Sequence, residues 1–130
     1  MEKRDLLEKQ IEQAGRVLGK ILAAALETPV TGDLLPGLDQ RNQQLREQLD
    51  LDVDALEFLD GKALETYLLD RHLSPESIEM LAAYLLYTDK PAYFPTALKL
   101  LDTVDALTGD YSFKRAELRA RITQALTADS

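Results

Sequence analysis

The chain has 130 residues, 45% of them hydrophobic and 29% charged, with a net charge of −8 and no cysteine. That is single-domain length with enough apolar content to bury a core, which excludes wholesale disorder. The lack of thiols excludes a disulfide framework and thiolate metal ligation, and no apolar run nears the ~20 residues that span a membrane.

The N-terminus, MEKRDLLEKQIEQAGRVLGK, keeps placing charges and amides where a secretory signal would be continuously apolar, so it reads as mature cytoplasmic protein. Leu7, Ile11, Ala14, Leu18, Ile21 and Ala25 alternate by four and three residues, which predicts a helix from about Arg4 to Glu27 with one apolar stripe. Gly15 and Gly19 form G-x-x-x-G inside it, followed by Ala23, Ala24 and Ala25. Two interior glycines cost roughly 0.8–1 kcal/mol each relative to alanine, so a smooth strip for close helix packing is the offsetting gain. The packing helix could belong to the same chain or to a second copy.

Thr28-Pro29 ends this helix, because the residue before proline is pushed out of the helical region. Residues 29–38, PVTGDLLPGL, read as a connector. Asp39 is a candidate N-cap for a short polar helix carrying Leu45 and Leu49. In LDLDVD, Asp52 or Asp54 caps a helical turn bearing Leu56, Phe58 and Leu59, and Asp60 caps a helix with Leu64, Tyr67 and Leu68. Ser74-Pro75-Glu76 is a strong helix start, with a capping hydroxyl, a proline at the first position and an acid facing the dipole. That helix carries Ile78, Leu81, Ala82, Leu85 and Leu86 and ends near Thr88. Lys90-Pro91 is a break. The next helix buries Phe94, Ala97, Leu98, Leu101 and Val104, with Pro95 in its first turn and Gly109 as its stop. Ser112 caps a last helix with Ala116, Ile122, Ala125 and Leu126.

The expected fold is all-α, a compact bundle of about six or seven helices in one domain. Its parts are the N-terminal helix (1–28), the connector (29–38), short acidic helices (39–73) and a hairpin plus final helix (74–130). The charge is uneven: residues 33–89 hold 13 acids against four bases, a net −9. An acidic middle repels phosphate backbones, so nucleic acid is not an expected partner. The one basic cluster, Lys114, Arg115, Arg119 and Arg121, reads as a solvated helix face.

The chemical motifs fail at named positions. Asp50, Asp52 and Asp54 open like a calcium loop, but that loop needs glycine sixth and glutamate twelfth, where this chain has Ala55 and Gly61. A phosphatase-type aspartate would follow a buried strand, and these follow the polar run QQLREQ. His72, the single histidine, lies near a helix C-terminus, where it would face the dipole. Ser74 lacks a nucleophile elbow to pair with it. No catalytic residue, metal ligand or cofactor site is therefore expected.

All eight aromatic residues fall between positions 58 and 113. Tyr84, Tyr87, Tyr93 and Phe94 straddle one helical corner, and Tyr111 and Phe113 the next. As core they would bury rings and wet their hydroxyls. As a groove, Tyr84, Tyr87, Tyr93, Phe94 and Tyr111 would receive a basic or amphipathic partner helix.

The segment Ser74–Leu126, with LAAYLL followed by YFPTALKLLDTV, resembles a tetratricopeptide hairpin plus the first helix of a next repeat. Beyond that, DLLEKQIEQAGRVLGKIL, LDLDVDALEFLDGKALETYLL and ALKLLDTVDALTGDYSFKRAELRARI together resemble an uncharacterised family of small bacterial all-helical proteins. The resemblance implies the helical fold and no assigned activity. About three such repeats are needed for stability, so the N-terminal and middle helices should cover the exposed repeat face. The leading expectation is a non-enzymatic protein–protein interaction domain. The alternatives are a structural homodimer built through the N-terminal helix and, least favoured, an enzyme using carboxylates alone.

Overall fold

The structure is a computed structural model that describes residues 2–27, 34–88 and 90–128. Six α-helices and two 3-10 turns make it up, with no strand among the described residues. The helices are α1 (Glu2–Glu27), α2 (Leu34–Leu49), α3 (Gly61–Asp70), α4 (Pro75–Tyr87), α5 (Phe94–Thr108) and α6 (Phe113–Ala128). The 3-10 turns are Asp54–Phe58, ahead of α3, and Pro91–Tyr93, leading into α5. No described helix is long and apolar enough to cross a membrane.

The helix α4 is the centre of the packing. It pairs with α5 in a hairpin, is covered by α1 on another side, and α6 closes over α5. Its start is built as the sequence predicts: Ser74 Oγ accepts from the Ser77 N–H at 3.1 Å, and Pro75 takes the first position. Leu81, Leu85, Leu100, Leu101 and Leu18 of these helices are fully buried, and Leu45 of α2 joins the same core. Burying a leucine side chain gains about 1.5–3 kcal/mol, so this cluster supplies the main cohesion. Gly109 ends α5 at φ 67°, with its N–H on the Asp105 carbonyl at 2.8 Å.

Three expectations change. The helix α2 begins at Leu34, inside the predicted connector, so Asp39 is an interior residue and not a cap. Pro36 falls at the third position of α2, where a backbone N–H has no intrahelical acceptor to lose. The rest of the connector, residues 29–33, and the predicted helix end at Thr28-Pro29 lie outside the described residues. The apolar stripe of α1 is buried at Ala14, Leu18 and Ile21, whereas Leu7 is 47% exposed. Phe58 is exposed rather than packed.

The basic cluster on α6 is also not a uniformly solvated face. Arg115 is buried, with Nε on Asp105 Oδ1 at 2.9 Å, Nη2 on the Asp110 carbonyl and Nη1 3.8 Å from Glu79. Arg119 spans Asp102 at 2.8 Å and Asp105 at 2.9 Å. These cations neutralise acids of α4 and α5, which fastens α6 to the hairpin, while Lys114 and Arg121 are exposed.

Candidate functional site

The five aromatic residues predicted to share a groove fall in three places. Tyr84, Tyr93 and Phe94 are core, Tyr84 with no exposure at all. Tyr87 is 40% exposed and its hydroxyl accepts from Arg121 Nη1 at 3.4 Å. Tyr111 is 77% exposed and meets Phe113 edge-on, with ring centroids 5.7 Å apart. An aromatic groove open to solvent does not form from this set.

Tyr84 and Tyr93 instead belong to a buried hydrogen-bonded chain. Tyr84 donates to Asn42 Oδ1 at 2.8 Å, and Asn42 Nδ2 donates to the Tyr93 hydroxyl at 3.1 Å. Tyr93 donates in turn to Asp54 Oδ1 at 2.9 Å. One amide therefore ties α2 to α4 and to the turn before α5. Burial pushes the Tyr84 phenol up from 10.0 to about 12, against the opposing pull of the Arg41 guanidinium. Tyr93 is raised further by burial and by the Asp54 carboxylate it serves. Sequence reasoning missed Asn42, whose polar surroundings, QRNQQLRE, give no sign of burial.

The aspartate triplet is dispersed. Asp50 Oδ2 lies 3.4 Å from Arg71 Nη2, Asp52 Oδ1 accepts from the Asp54 N–H at 3.0 Å, and Asp54 takes Tyr93. The three carboxylates face three different partners. His72 has φ 63° and closes α3, where the backbone N–H groups of His72 and Leu73 meet the carbonyls of Leu69 and Leu68. It acts there through its backbone.

Lys99 of α5 is likewise held by backbone. Its Nζ donates to the carbonyls of Leu56, Glu57 and Leu59 at 3.1, 3.0 and 2.7 Å, and lies 3.3 Å from Asp60 Oδ1. All three ammonium protons are spent on the C-terminal end of the Asp54–Phe58 turn.

Concavity is found elsewhere. A cleft of about 570 Å³ opens between α1, the first turns of α4, and the C-terminal half of α5. Ile11, Pro75, Met80 and Val104 give it apolar walls. Glu12 and Glu76 stand exposed on its rim, and Glu79 is within it. The one lining cation, Arg115, is turned into Asp105 and Asp110. Gly15 faces this cleft: a Cβ there would come 3.5 Å from Ser77 Oγ, ordinary contact distance, so the glycine borders α4. Among the described residues nothing comes within 4 Å of a Cβ built at Gly19, its predicted companion in the packing strip. The strip thus packs inside the molecule at one end and is open at the other.

The same cleft has no built nucleophile. Ser74 and Ser77 are engaged with each other and with the backbone, Oγ to Oγ at 3.2 Å. Among the described residues no three Asp, Glu or His side chains are grouped to hold a metal ion. Comparison with family models, with curated proteins and with solved structures gives no match.

Proposed function

We propose that this chain is a non-enzymatic protein–protein interaction domain that receives a basic, amphipathic segment in the cleft between α1, α4 and α5. The observation that carries this reading is the composition of that cleft. Apolar side chains line it, Met80 among them, and Glu12 and Glu76 stand on its rim while its one arginine is consumed internally. An unbranched thioether adapts its shape to varied apolar partners. Rim carboxylates steer cations and set orientation, and the net charge of −8 adds to that field. Read as a tetratricopeptide-like unit, α4, α5 and α6 would suit this role, since stacked helical hairpins bind peptides along their exposed faces.

The test uses a fluorescent helical peptide of leucines and lysines, followed by anisotropy and by amide chemical shifts. Shifts should concentrate at Gly15, Glu76, Ser77 and Met80. Met80→Lys should weaken binding about tenfold or more, and so should raising salt from about 0.05 to 0.5 M. Unchanged affinity in Met80→Lys, with helicity retained by circular dichroism, would sink the proposal.

A further inference from the structure

Glu79 stands inside the cleft between α1, α4 and α5, with its side chain only 15% exposed. It shares one face of α4 with Glu76, three residues before it, and with Met80. Its two oxygens face one cation each. Oε1 lies 3.8 Å from Arg115 Nη1, and Oε2 lies 3.8 Å from Lys114 Nζ. A charge-assisted hydrogen bond is about 2.7–2.9 Å long, so neither contact is one. Among the described residues no donor bonds this carboxylate. An ionised carboxyl offers about four acceptor sites, and withdrawing them from water without donors is unfavourable.

Neither neighbour is placed to complete it. Arg115 is held by Asp105 Oδ1 through Nε and by the Asp110 carbonyl through Nη2. The Lys114 side chain is 82% exposed, and a hydrated ammonium on a flexible stem gives way readily.

We infer that Glu79 is the specificity-determining residue of this cleft and takes the guanidinium of an arginine on the bound segment across both of its oxygens. The inference rests on the cleft being the binding site, as proposed above. A planar guanidinium donates to two carboxylate oxygens at once, whereas an ammonium meets them as a point charge. The local charge accommodates a further cation. The positive charge of Arg115 is matched by Asp105 at 2.9 Å, and Glu12 and Glu76 stand on the rim. Ile11, Met80 and Val104 offer apolar surface to the methylene stem that carries the guanidinium.

The probes are two fluorescent helical peptides of one pattern, leucine with arginine and leucine with lysine, titrated into the full chain by anisotropy. The arginine peptide should bind wild type about fivefold or more tighter than the lysine peptide. In Glu79→Gln, which keeps the shape and loses the charge, that ratio should fall to about one. Glu76→Gln should weaken both peptides and keep the ratio, because a rim charge steers either cation. A ratio near one in wild type overturns the inference, and so does a ratio that survives Glu79→Gln. Peptides that move the amides of Gly15, Ser77 and Met80 with no arginine preference overturn this inference alone. Peptides that leave those amides unmoved overturn the cleft reading as well. If Glu79→Gln unfolds, wild type decides: nuclear Overhauser contacts should join the peptide's arginine Hδ protons to the Glu79 Hγ protons, and their absence overturns the inference.

Discussion

His72 sits at φ 63°, a backbone region in which a side chain costs roughly 1–2 kcal/mol and glycine costs little. The paired backbone bonds that close α3 hold it there, at the position where glycine is the usual residue. His72→Gly should therefore stabilise the fold by about 0.5–1 kcal/mol, after allowing for the freer unfolded chain, as read from urea midpoints. A loss of stability would mean that the imidazole has a role beyond closing the helix. The position of His72 near a helix end was legible in the sequence. Its strain was not, because nothing in RHLSPE distinguishes a histidine beside the turn from one inside it. Arg115 shows the same limit. Its membership of a basic cluster was visible, but burial depended on Asp105 and Asp110 arriving from the preceding helix and loop.

At the scale of elements, the starts and stops were the most legible features. Ser74-Pro75-Glu76 and Gly109 act through local backbone chemistry and need no tertiary partner. The start of α2 was misread for an equally local reason: Pro36 and Gly37 signal a loop, yet a proline is tolerated within a first helical turn. The aromatic corner was recognised as a feature, but its exposure was set by α2 folding over it. Over its described side chains α2 buries one leucine and one asparagine, which leaves almost no periodic trace. In α1, no described residue comes within 4 Å of where a Cβ of residue 19 would stand, so the glycine yields no packing gain against the described residues. Gly19→Ala should raise stability by about 0.8–1 kcal/mol, measured by thermal or urea unfolding. If the variant is instead destabilised at high protein concentration and not at low, the open end of the strip is a contact between copies.

The molecule as a whole is tied together by groups that act only in one protonation state. Tyr84, with its phenol pushed up to about 12, keeps its proton more tightly folded than unfolded. Its contribution is therefore complete below pH 10 and is lost as pH rises toward 12. Tyr93 acts in the same direction. Alkaline unfolding should begin above about pH 10, and absorbance at the phenolate band should show two of five tyrosines ionising together with the loss of helicity. Simple titration of all five, with helicity unchanged, would contradict a buried chain through Asn42. The acidic middle and the hairpin also meet at Lys99. Lys99 spends its whole ammonium on three carbonyls arranged around one tetrahedral head, a shape that a planar guanidinium cannot copy. Substitution over evolutionary time should therefore be lopsided at this junction. The exposed carboxylate of Glu57 is free to drift so long as it stays polar, while the single amine opposite it is not interchangeable even with arginine, and an acetyl group there would remove the charge and two of the three donors that hold these carbonyls.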